Sequence, residues 1–224
     1  MEQDHKITWN SHLEKIMTDE GERSLCFSWL HLKSENYYSK LNTYLSIPVI
    51  MLSTIAGAGS FGSQSIFNGS SSASLVIGGI SLTVATLNTI GSYFSWAKRS
   101  ESHRIAAATY KKVYRFILIE LALPRDERIS AKDMLKIVRE QCDRLQETSP
   151  QIPDNIIAEF KVKFGTTTPD VAKPEITNGL DPIMVHSPNS MSPKISISDH
   201  IPDKLQKLSL AHQQNGSASD NNHT

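Results

Sequence analysis

Gly78, Ser81, Ala85, Asn88, Ser92 and Ser95 recur at intervals of 3, 4, 3, 4 and 3. On a helix this spacing gathers them into one stripe, at the period of a left-handed helix pair. Earlier in the chain Ser46, Ile50, Ser53, Gly57 and Ser60 repeat it as 4, 3, 4 and 3. Two kinds of chemistry suit such stripes. Small residues let helix backbones approach, and hydroxyls and one carboxamide hydrogen-bond across the contact. The same groups can instead line a wet path. Asn88 is then the natural wall residue, because a polar side chain in an apolar setting requires a partner or water. Two helices enclose no pore, so the second reading requires several copies. The spacing alone lets the two stripes face each other.

Other constellations are weaker. The eight His residues are scattered and give no metal-ligand cluster. His31, beside Trp29 and Leu30, reads as an interfacial residue rather than a ligand. Cys26 and Cys142 form no C-x-x-C motif, and no disulfide is expected between them. Gly57-Ala58-Gly59 lies in an apolar run, where packing accounts for it better than phosphate binding. There is no G-x-S-x-G elbow. Glu120, Asp126 and Glu127 near Arg125 and Arg128 read as a solvated turn around Pro124. No catalytic residue, cofactor site or metal site is assigned, and a non-enzymatic role is expected.

The elements that must carry the stripes are set by charge. Lys+Arg and Asp+Glu number 23 each, so the net charge is zero and a nucleic-acid partner is not expected. From Leu41 to Ala97 there is no Asp, Glu, Lys, Arg or His. Two apolar runs occupy this window, at about 41–60 and 74–97. Each matches the roughly 20 residues that a helix needs to cross a hydrocarbon core. The Gly/Ser/Asn-rich connection between them is short, which predicts an antiparallel transmembrane hairpin. On the second helix, Ile77, Ile80, Leu82, Val84, Leu87 and Ile90 are then expected to face lipid. Pro48 predicts either a kink or a helix start.

Lys98, Arg99, Arg104, Lys111, Lys112 and Arg115 follow the window, and Arg23, Lys33 and Lys40 precede it. The positive-inside bias therefore predicts an integral, multi-pass protein with both termini cytosolic. Tyr37, Tyr38, Tyr44, Tyr93, Phe94 and Trp96 read as an aromatic belt at that side. Asn68-Gly69-Ser70 in the connection matches a glycosylation sequon. No cleavable signal peptide is read in the first 40 residues.

The flanks read as amphipathic helices. Trp9, Leu13, Ile16 and Met17 make one stripe, and Phe27, Leu30, Tyr37 and Leu41 a second, with Gly21 a possible break. The helix after the window is expected to continue the second membrane helix and to stop at Pro124. Ser130-x-x-Asp133 resembles a capping box. Ala131, Met134, Leu135, Val138, Cys142 and Leu145 share the next face, and "DNIIAEFKVKF" is a short last helix. The expected fold is all-α, in four parts. Residues 1–40 form a cytosolic helical segment, 41–97 the hairpin, 98–164 a cytosolic helical extension and 165–224 a disordered tail. The tail holds Ser187-Pro188, Ser192-Pro193 and the amphipathic "DKLQKLSLAHQQ", and is a candidate docking segment for a cytosolic protein partner.

The segments "SWLH", "IPVIMLST", "LALPRDER" and "SPQIPDNII", in that order, resemble the SLATT family, in versions carried by large DNA viruses of eukaryotes. The likeness spans roughly Trp9 to Phe164. It implies a two-helix membrane hairpin with a helical cytosolic extension. It also implies a pore-forming or membrane-perturbing effector, switched by a sensor and often by a nucleotide signal. No fused sensor segment is read here, so a trigger is expected from a separate protein. The expected function is thus an oligomeric module acting on the lipid bilayer. The alternative is a non-enzymatic, viral membrane scaffold whose cytosolic helices and tail recruit partners.

Overall fold

A computed structural model describes residues 7–66 and 71–180. Among these residues the chain is all helical. α1 spans Ser11–Ile66, α2 Ser71–Phe94, α3 Trp96–Ala122, α4 Ala131–Thr148, α5 Asp154–Phe164 and α6 Glu175–Asn178. The sequon at Asn68 and the tail segments beyond Leu180 lie outside the described residues.

α1 is one unbroken helix of 56 residues, about 84 Å long at 1.5 Å per residue. The break expected at Gly21 and the helix start offered at Pro48 are absent. Gly21 does not break the helix, because it is the point where α1 meets α3. A Cβ there would stand 3.2 Å from Ile117 Cγ2. Pro48 lies inside α1 and does not start it. The boundary expected at 40/41 is therefore a change of composition along one rod, with no break in structure.

α2 and α3 run back along α1. Gly59 meets Ile77, and Gly91 meets Leu45. Farther down, Ser28 Oγ donates to Ala107 O at 3.0 Å and Ser100 Oγ to Glu35 O at 3.2 Å. In each pair the two residues stand nearly equally far along the chain from residue 68. One antiparallel register thus holds from the loop to the far end of the hairpin.

The core lies in the lower half. Leu13 and Met17 of α1, Tyr110, Val113 and Ile117 of α3, and Met134, Val138, Cys142 and Leu145 of α4 pack into one cluster. Ile16 is exposed, so the first stripe is narrower than its composition suggests. Ser130 caps α4, accepting from the Asp133 N–H at 3.2 Å. A second cluster joins Cys26 and Leu30 to Ile152, Ile156 and Phe160. Trp29 closes it edge-on to Phe160 and Phe164, with ring centroids 5.5 and 5.3 Å apart.

Two further readings change. Arg125 and Arg128 do not serve the turn's own acids. Both reach back to Glu14 on α1, at 2.8 and 2.7 Å. The paired guanidinium hydrogen bonds hold the Glu14 carboxyl down to about 2. The tail does not begin at 165, because residues 165–180 pack onto the body. Lys173 and Thr177 are buried there, and Ala172 N donates to Glu22 Oε2 at 2.7 Å.

Candidate functional site: the hairpin face and its root

Among the described residues two helices are long and apolar enough to cross a membrane. Along α2 the less exposed positions are Ala73, Ile77, Ile80, Val84, Leu87 and Gly91. Their spacing is that of a coiled-coil seam. On α1 the facing positions Leu45, Val49, Leu52, Ala56 and Gly59 are likewise half-buried or buried. Glycine meets a large residue at two places along the seam, Gly59 against Ile77 and Gly91 against Leu45. A large side chain opposite none keeps the two axes close at constant volume.

This seam corrects the expected pairing. The stripe of Gly78, Ser81, Ala85, Asn88 and Ser92 is exposed along its length, and Ser95 is half-buried. On α1, Ser53 and Ser60 are exposed, while Ser46 and Gly57 are half-buried beside the seam. The two stripes do not face each other within one chain. Ile77, Ile80, Val84 and Leu87, expected toward lipid, form the seam instead. The physical reason is knob size, since branched side chains fill the holes of the facing helix and Ser or Gly leaves them empty. Each helix carries two seams of the same period, and the apolar one wins.

Several hydroxyls of the hairpin, its threonines among them, are satisfied by their own helix. Ser53 donates to Val49 O, Thr54 to Ile50 O, Thr83 to Gly79 O, Thr86 to Leu82 O and Thr89 to Ala85 O, all within 3.0 Å. Such back-bonding suits an environment without water. Asn88 is different. It is exposed, and among the described residues its carboxamide has no hydrogen-bond partner. Gly57-Ala58-Gly59-Ser60-Phe61-Gly62 spells G-x-G-x-x-G, but it sits within continuous helix. Without a strand-to-helix turn its amides are spent inside the helix and cradle no phosphate.

The root of the hairpin is polar and tightly held. α2 and α3 nearly continue one another, as expected, but are separated by Ser95 at φ 49, ψ 41. The Ser95 hydroxyl donates to Ser92 O at 2.8 Å. Below this left-handed joint, His31 and His103 bury their rings to 1 % exposure each. Their Nδ1 atoms are 2.9 Å apart, so one ring donates and the other accepts. Tyr110 stacks on His31 at 5.5 Å and Tyr38 on His103 at 5.4 Å. Arg99 lies over Tyr38. Burial, then the charge of the other ring, brings His31 down to about 3. Burial, then Arg99, brings His103 down to about 4. Both are neutral at pH 7, and the pair is a cross-link between α1 and α3. His31 is therefore no interfacial residue. The belt positions Tyr44 and Tyr93 are highly exposed, at 74 % and 82 %.

Cys26 and Cys142 are free and lie in different clusters. Burial raises their thiols to about 11 and about 12, which leaves them protonated and unreactive. Among the described residues no group of three His, Cys, Asp or Glu side chains is placed to hold a metal ion. Comparison with known proteins finds no matching family model, curated protein or solved structure.

Proposed function

We propose that this chain is a SLATT-like integral membrane protein with both termini cytosolic, whose hairpin assembles in several copies as a pore-forming or membrane-perturbing module. The observation that carries the reading is the outward stripe of α2. It holds Asn88, whose carboxamide, like the Ser81 and Ser92 hydroxyls on the same stripe, has no hydrogen-bond partner among the described residues, on a hairpin whose threonines bond their own helix and whose surface is largely apolar. In a bilayer that carboxamide needs water or a second copy. Assembly around the stripe provides either. The basic residues from Lys98 to Arg115 support the orientation.

Release of an entrapped dye from liposomes tests this, with wild type beside Asn88→Leu. Wild type releases dye. The variant inserts and assembles but releases at least about tenfold more slowly, as expected when a wetted polar wall becomes apolar. Equal release by both removes the stripe from the wall. No release from an inserted, oligomeric sample favours the scaffold reading, which the self-sufficient helical body below the hairpin supports.

A further inference from the structure

A groove of about 630 Å³ runs between α1, α3 and the segment after α5. Its volume is that of a site for one small ligand. Leu25, Trp29, Leu32, Phe160, Phe164 and Val171 give it an apolar wall. Three cations line it, Arg104, Lys111 and Lys173, and no Asp or Glu is among the described lining residues.

Lys173 is the unusual member. It is 8 % exposed. Its Nζ makes one hydrogen bond, to Gly165 O, at 3.4 Å. Among the described residues it has no carboxylate in ion-pair range. An ammonium carries three donors, so two are unused at a buried site. The acid placed beside this segment, Glu22, is taken by the Ala172 N–H at 2.7 Å and makes no ion pair with Lys173, and a buried cation without a direct ion-pair partner is costly. Lys111 also lacks an acid and lies over the Tyr114 ring at 4.9 Å. Arg104 is already held by Glu101 at 2.6 Å.

We infer that this groove binds a single-chain anionic amphiphile of the long-chain fatty-acid class, with its carboxylate on Lys173 and its chain along the Trp29–Phe160–Phe164 wall. The site is distinct from the α2 stripe and does not depend on the pore. An apolar wall matches an alkyl chain, and Lys173 and Lys111, which make no ion pair among the described residues, match one negative head.

The test uses the full chain in nanodiscs of neutral phosphatidylcholine with radiolabelled oleate, against empty nanodiscs. Saturable binding of one oleate per chain is expected. Oleyl alcohol binds at least about tenfold more weakly, and Lys173→Leu weakens oleate by the same factor, the loss of one charge-assisted hydrogen bond. Lys173→Arg keeps affinity within about threefold, since the charge remains. Ala108→Trp lies on an exposed, groove-lining position and blocks binding by filling the space without disturbing the core. Binding no greater than to empty nanodiscs overturns the inference. So does oleate binding that ignores both Lys173→Leu and Ala108→Trp. A change in oligomer mass with Ala108→Trp, at unchanged oleate binding, makes the occupant a second copy and overturns it as well.

Discussion

The upper and lower halves of the hairpin share one helix, α1, and one register, yet they are held together by different means. Below residue 41, α1 meets α3 through Ser28, the His31–His103 pair and Ser100, and α4 and α5 cover the outside. Above it, α1 meets α2 through a narrow apolar seam, and no residue of α2 is buried. The lower half satisfies itself in water. The upper half presents apolar surface outward on nearly every side, so its stability depends on what surrounds it. The same pairing geometry therefore carries two kinds of surface, and the side chains outside the seam decide which.

Truncation of an apolar side chain separates the halves most strongly. Leu30 is fully buried, and Leu30→Ala is expected to cost about 2–5 kcal/mol by cavity formation. Leu82 is 71 % exposed, and Leu82→Ala is expected to cost below about 0.5 kcal/mol. Thermal unfolding in nanodiscs, followed by circular dichroism, gives both. Equal losses would mean that α2 is covered as thoroughly as α1.

Acid acts on the lower half alone. His31 and His103 have folded values depressed to about 3 and about 4, against about 6.5 unfolded. The unfolded chain binds more protons in between, so this stability is complete above pH 6.5 and lost as pH falls toward 3. A melting temperature that drops from pH 6.5 to 4 in wild type, and drops less in His31→Phe/His103→Phe, is the expected result. The variant's flatter profile is the informative part, since Glu14 adds an acid-sensitive contribution only from about pH 4.5 down to about 2.

The smallest effect lies at the joint. Ser95 is the one non-glycine residue at positive φ among the described residues. Ser95→Gly relieves that conformation and is expected to stabilise by about 1 kcal/mol or less. Unchanged or lower stability would mean that the Ser95 hydroxyl bond to Ser92 outweighs the backbone cost.

The sequence discloses the hairpin well, because a charge-free run of this length has few other uses. It discloses the cap at Ser130 and the inner face of α4 for similar reasons, since local spacing determines both. It does not disclose which of two equal-period stripes faces the partner helix. Ile77–Ile80–Val84–Leu87 and Ser81–Ala85–Asn88–Ser92 have the same spacing, and only packing ranks them. His31 and His103 are far apart in sequence and carry no local motif. Their signal is positional, since both lie about equally far from residue 68, and a constant register aligns them. Residues 165–180 read as tail because from Gly165 onward Pro, Ser, Asn, Asp and His rise and periodicity fades, yet Lys173 and Thr177 are buried.

The continuity of α1 has a mechanical meaning. α1 passes from Ser11 to Ile66 without a break, whereas the return path bends at a single residue between α2 and α3. A torque applied where Trp29 docks against Phe160 is carried up α1 as along a drive shaft, because a helix resists twisting through its ladder of hydrogen bonds. The other limb is held at its joint by the Ser95 N–H bond to Gly91 O and the Arg99 N–H bond to Ser95 O, 2.9 and 3.0 Å long, so strain in the body reaches the hairpin along both limbs.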